Sequence, residues 1–117
     1  MRITIVDDDR SILRALERLL GANGFVVETF SSAEALLASQ GGTRSDCLVV
    51  DIHLGGMNGL ELSDRLIEAS TRIPIVFMTA YDREGSRASA DRIGAAYLRK
   101  PFNEEALIAA IKNVTGT

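Results

Sequence analysis

The sequence predicts a single α/β domain over residues 1–117, a doubly wound sheet of five parallel strands with helices on both faces. Three observations carry that expectation. A length of 117 residues suits one domain and leaves no room for a second. Short apolar runs alternate with stretches of helical period along the whole chain, and no linker interrupts them. The first of those runs is continuous and β-branched, as expected of a strand covered on both faces.

Residues 3–6 (Ile3, Thr4, Ile5, Val6) form that first strand. Ile12, Leu13, Leu16, Leu19 and Leu20 then recur at helical spacing until Gly21 and the Asn23-Gly24 pair end a first helix. Residues 25–29 make a shorter second strand. Ser31, followed three residues later by Glu34, has the capping-box pattern. It predicts a helix through Leu36 and Leu37 to about Ser39, and then a loop at Gly41, Gly42 and Thr43. The third strand, 47–50, ends at Asp51, and a loop with Gly55, Gly56 and Gly59 leads to a helix carrying Leu60, Leu62, Leu66 and Ile67. Strand four covers 73–79. The next segment, 83–92, is a poor helix with Gly85, Ser86, Ser89 and few large apolar residues, so it should be the least rigid element. Residues 95–98 read as strand five. Asn103 is placed to cap a last helix with Glu104 and Glu105 in its first turn and Leu107, Ala110, Ile111 and Val114 on its buried side.

Composition narrows the function classes. Thirteen Lys and Arg against sixteen Asp and Glu give a net charge of −3, so no basic field exists to attract nucleic-acid phosphates, and direct DNA or RNA binding is not expected. With 46% hydrophobic and 25% charged residues, disordered and fibrous classes are excluded. The single cysteine, Cys47, cannot make an internal disulfide or a cysteine-based zinc cluster; it is most simply a small buried apolar residue in a reducing compartment. No apolar run approaches the roughly 18–20 residues of a membrane span, and Met1-Arg2 leads into a short run ending at three aspartates, unlike a signal peptide. A cytoplasmic location without membrane contact is the expectation.

In open parallel sheets, ligands sit beyond the carboxyl ends of the strands. Here those ends carry Asp7, Asp8 and Asp9 after strand one, Asp51 after strand three, Thr79 in strand four, and Lys100-Pro101 just past strand five. Carboxylates gathered at one place repel each other unless a cation neutralises them, and oxygen-only donors favour Mg²⁺ or Mn²⁺ over zinc. The lone histidine, His53, does not change that choice, because it lacks the usual histidine partners of a zinc site. A hard ion, a carboxylate nucleophile, a hydroxyl and an ammonium make a complete phosphoryl-transfer set, with an aspartyl phosphate as product. Each piece alone also has a plain reading: a solvated turn and N-cap for the three aspartates, an ordinary strand end for Asp51 or Thr79, a chain break for Lys100-Pro101. Their joint occurrence, in order, is far more specific.

With these residues in place the chain resembles the receiver domains of bacterial two-component response regulators over essentially its whole length. The matching segments run through Asp7-Asp8-Asp9, Val50-Asp51 with Met57-Asn58-Gly59-Leu60, Phe77-Met78-Thr79-Ala80, and Tyr97-Leu98-Arg99-Lys100-Pro101-Phe102. The resemblance implies a flavodoxin-like (βα)5 arrangement. It also implies that Asp51 is the phosphoacceptor, served by a phosphohistidine on a histidine kinase or histidine phosphotransfer protein. Asp8 and Asp51 would ligate Mg²⁺ directly, Asp7 through water and His53 through its backbone carbonyl. Lys100 would pair with the phosphoryl group, and Pro101 would follow a cis peptide. Thr79 and Tyr97 match the switch pair, and helix four, strand five and helix five would form the output surface toward a downstream protein target or a second copy in a homodimer, with Arg99 a candidate interface residue. Such a module is a signalling switch and not a metabolic enzyme, although it would catalyse its own phosphotransfer and dephosphorylation.

The chain departs from the family at Gly55-Gly56, where a proline four residues after the phosphoacceptor is usual. His53 and Tyr81 occupy the two places that in this family tend to modulate attack by water on the acyl phosphate. Two other readings stay open, a receiver-like interaction module that no longer cycles phosphate and the receiver portion of a larger regulator or hybrid kinase; a small hydrolase of the haloacid dehalogenase type and a flavin carrier are poorly supported. Asp7-x-Asp9 fits the hydrolase, but the chain is short for that fold and Ser11 stands where threonine is usual; the flavin carrier lacks a phosphate loop after strand one.

Overall fold

The computed structural model describes residues 1–39, 44–69, 71–81 and 83–117, so the loop expected at Gly41 to Thr43 lies outside the described residues. Within them five strands and five helices alternate: β1 (Arg2–Val6), α1 (Arg10–Ala22), β2 (Val26–Phe30), α2 (Ala33–Ala38), β3 (Cys47–Asp51), α3 (Gly59–Glu68), β4 (Ile75–Thr79), α4 (Glu84–Arg92), β5 (Ala96–Arg99) and α5 (Glu104–Thr115). The strands form one sheet in the order β2-β1-β3-β4-β5, every pair parallel. The α/β class and the five-stranded parallel sheet are as the alternating pattern predicts.

Strand periodicity splits the apolar runs between two layers. Ile3, Ile5, Cys47, Val49, Val76 and Met78 face α1 and α5, where they meet Leu13, Leu16, Leu20, Leu107 and Ile111. Leu48, Val50 and Phe77 face the other way, toward Ala33 and Leu36 of α2, Leu62 and Leu66 of α3, and Ala90 of α4. Both faces being covered is why these strands read as unbroken hydrophobic runs.

Helix starts follow local capping chemistry. Asp9 caps α1, its carboxylate accepting the Ser11 amide at 2.9 Å, and Asn103 caps α5 by accepting the Ala106 amide at 2.8 Å. At α2 the expectation needs correcting: Ser32, and not Ser31, accepts the Ala35 amide at 3.0 Å. The physical reason is that β2 continues through Phe30, paired with Val6, so the helix starts one residue later. β4 begins at Ile75 instead of residue 73, because Pro74 has no amide to give a ladder. α4 is weakly anchored, as expected: Arg83 at its N-cap offers no side-chain hydrogen bond, and Ala90 is its buried residue. None of the described helices is long and apolar enough to cross a membrane.

This topology sets the position of the acidic groups. Val6 is in register with Val50, so the residue just after β1 and the last on β3, Asp7 and Asp51, emerge side by side at the carboxyl edge. Thr79 and Arg99 are in register on β4 and β5, which delivers Lys100 to the same edge.

Candidate functional site

Asp7 is fully buried at the end of β1, Asp51 is 6% exposed at the end of β3, and Asp8 is exposed. One carboxylate oxygen from each lies within 4.8 Å of the others. The Lys100 ammonium donates to Asp7 Oδ2 at 2.7 Å and to Asp51 Oδ2 at 2.9 Å. The remaining oxygens are also oriented. Asp7 Oδ1 accepts the Asp9 amide and Asp51 Oδ1 accepts the His53 amide, each at 2.9 Å. Lys100 is held from behind by its own amide, which donates to the Thr79 carbonyl at 2.7 Å, and the Lys100–Pro101 peptide is cis.

The electrostatics follow from burial and a shortage of positive charge. Burial raises the Asp7 pKa; the Lys100 and Asp9 hydrogen bonds pull it down but do not cancel the effect. Burial also lowers the proton affinity of Lys100, yet its hydrogen bonds to Asp7 and Asp51 and the attraction of both carboxylates together outweigh this and leave its pKa raised. One ammonium facing three carboxylates leaves a charge deficit that a hard divalent ion would fill. The donor set, oxygen-only and within 4.8 Å, fits such an ion at Asp7, Asp8 and Asp51.

The Thr79 side chain is buried at the end of β4, where its hydroxyl donates to the Tyr81 carbonyl at 2.8 Å and accepts the Tyr81 amide at 2.9 Å. It thus closes its own turn and does not bond Asp51. Tyr97 is half-buried in register with Phe77, and the Arg87 guanidinium stands 4.6 Å from its ring centroid. That contact ties α4 to β5.

Sequence reasoning missed three features. The His53 ring meets the exposed Tyr81 ring edge-on, with centroids 5.1 Å apart, and its Nε2 is buried without a hydrogen-bond partner among the described residues. Asn58 and Glu61 form a full capping box at α3, legible in principle from the Asn-x-x-Glu spacing. Gly59 brings α3 against β3: its amide donates to the Ile52 carbonyl at 3.0 Å, and a Cβ there would lie 2.6 Å from the Asp51 carbonyl oxygen. Only the assembled loop reveals that last contact.

Comparison with known proteins gives a consistent result. Residues 3–112 match the family model described as the response regulator receiver domain. The response regulator protein TmoT of Ectopseudomonas mendocina is 38% identical over 111 residues, covering 94% of this chain and 50% of the relative. The response regulator MprA of Mycobacterium leprae is 37% identical over 113 residues, covering 96% and 50%. The chain therefore spans about half the length of these curated relatives. Among solved structures, the response regulator StyR superposes with a TM-score of 0.90 at 40% identity, covering 98% of this chain and 59% of that one. The Vibrio cholerae chemotaxis protein CheY4 superposes with a TM-score of 0.86 at 27% identity, covering 97% of both chains.

Proposed function

This chain belongs to the response regulator receiver domain family of two-component systems, and from that premise we propose that it is a phosphorylation switch with Asp51 as phosphoacceptor. Residues 1–117 act in this reading as one receiver domain, a signalling module and not a classical enzyme. The observation that carries it is the Lys100 ammonium bridging Asp7 and Asp51, 2.7 and 2.9 Å away, at the edge where three carboxylates converge.

Transfer forms a bond from an Asp51 carboxylate oxygen to phosphorus as the bond from phosphorus to the donor's imidazole nitrogen breaks, and the imidazole leaves with the electron pair. Asp8 and Asp51 would hold Mg²⁺ or Mn²⁺, with Asp7 through water and the His53 backbone carbonyl as the further donors that the family resemblance implies. When bound, such an ion would supply charge balance on the phosphoryl oxygens. Lys100 pairs with those oxygens from the other side. A hydroxyl already committed to the Tyr81 turn is a two-position device: Thr79 leaves the Tyr81 carbonyl to donate to a phosphoryl oxygen, and Tyr97 turns inward into the space released. Moving the equilibrium from 1:99 to 99:1 needs about 5.5 kcal/mol of preference for the active form, within reach of a few charge-assisted contacts. The signal passes through α4, β5 and α5 to a protein target or a second copy, with no direct contact to nucleic acid or membrane, in the cytoplasm. The phosphoryl donor is a histidine kinase or histidine phosphotransfer protein.

The test is incubation with Mg²⁺ and acetyl phosphate followed by intact-mass measurement. The expected outcome is the gain of one phosphoryl group in the wild type and none in Asp51→Asn. An unchanged wild-type mass would favour a module that binds partners without cycling phosphate.

A further inference from the structure

The crown of the β3–α3 loop is tied to a different element. Its ends are anchored locally, by the His53 amide on Asp51 Oδ1 and the Gly59 amide on the Ile52 carbonyl. Between them Gly55 and Gly56 are exposed, and Gly56 has a φ of +76°. The next residue, Met57, donates its amide to Oε2 of Glu34 on α2, at 3.1 Å and across 23 residues of sequence. Glu34 is available because α2 begins at Ala33: that places it at the second helical position, whereas a capping box uses the third. The fit between the two elements is close. A Cβ on Gly56 would come within 2.6 Å of the same Glu34 oxygen, so a side chain there would push the carboxylate away as well as strain the backbone. The Met57 hydrogen bond also holds the Glu34 pKa below its ordinary value, as expected of an interaction that favours the ionised form.

We propose that Glu34 is a positioning residue for the metal loop, its carboxylate strapping Met57 and thereby fixing the path of the backbone that carries His53. The glycine pair leaves this crown without intrinsic stiffness, and the bond from α2 supplies it. The inference rests on the receiver reading of the site, and its test separates the two. Mn²⁺ affinity is measured by electron paramagnetic resonance of the free ion, and Met57 amide exchange by NMR, in wild type, Glu34→Ala, Glu34→Gln and Gly56→Ala. Glu34→Ala and Gly56→Ala should weaken Mn²⁺ binding about two- to fivefold, the range of an exposed charged hydrogen bond. Both should also speed exchange at Met57. Glu34→Gln keeps an amide oxygen that can accept the same N–H, as a weaker neutral bond, and should lie closer to wild type than Glu34→Ala in both measurements. Unchanged affinity and exchange in Glu34→Ala would overturn the strap. Equal weakening in Glu34→Gln would overturn it too, because loss of charge and not of the bond would then be responsible. If wild type bound no Mn²⁺ at millimolar concentration, the metal centre itself would be refuted along with the strap's role in it, while Met57 exchange would still show whether the hydrogen bond forms.

Discussion

Asp7 and Lys100 sit 2.7 Å apart and both have raised pKa values, for opposite reasons. For Asp7 burial dominates, so the folded chain holds a proton that the unfolded chain would release. Stability therefore falls as pH rises from the ordinary carboxylate value through the higher folded one. For Lys100 burial is the largest single effect, but the hydrogen bonds to Asp7 and Asp51 and the attraction of both charges together outweigh it. Its contribution is complete below the ordinary lysine value and is lost as pH rises through the raised one. In the metal-free protein, carboxyl ¹³C NMR titration should place the Asp7 midpoint above the ordinary range, and Lys100→Gln should raise it further. Mg²⁺ should lower it, since metal binding requires the deprotonated form. A midpoint below the ordinary range would contradict the account. The residues of this cluster were legible in the sequence because strand ends are: a β-branched run that stops at an acid identifies both the strand and its edge. The His53–Tyr81 contact and the Glu34–Met57 bond were not, since each joins segments distant in sequence whose approach depends on the assembled fold.

The same division holds for whole elements. α3 reads clearly as a helix from Leu60, Leu62 and Leu66, but its depth against β3 is set by Gly59, which is buried at its first residue. A Cβ there would lie 2.6 Å from the Asp51 carbonyl oxygen and 3.0 Å from Ile52 Cα, both backbone atoms that cannot swing aside. Gly59→Ala should therefore destabilise the fold by about 1–3 kcal/mol, as overpacking does, measured by urea unfolding. It should also slow acetyl-phosphate modification of Asp51 in the fraction that remains folded. A neutral effect on both would mean that α3 can retreat at no cost. At α2 the cap fell to Ser32 instead of the expected Ser31 through the length of β2, a pairing fact and not a propensity. Glu34 was thereby freed from the box that its spacing suggested.

For the molecule as a whole, alternating runs foretold parallel strands covered on both faces, and the order β2-β1-β3-β4-β5 puts β3 in the centre with Asp51 at its carboxyl end. The other end of that strand is Cys47, fully buried, its thiol pKa pushed up to about 12 chiefly by burial and in smaller part by the neighbouring Asp46 charge. A thiol so protonated and enclosed reacts with a disulfide reagent only when the sheet opens, so its labelling rate reports global unfolding when reclosing is fast. The proposed metal site and this thiol share one strand, and an ion that binds only the folded chain must protect both. At ten times its dissociation constant, Mg²⁺ should slow Cys47 labelling about tenfold, equivalent to roughly 1.4 kcal/mol. Asp51→Asn should label with little response to Mg²⁺. Labelling of the wild type faster than the global unfolding equilibrium allows would show that β3 opens independently of the rest. A rate that ignores Mg²⁺ would show that the carboxylate cluster holds no ion in the folded state.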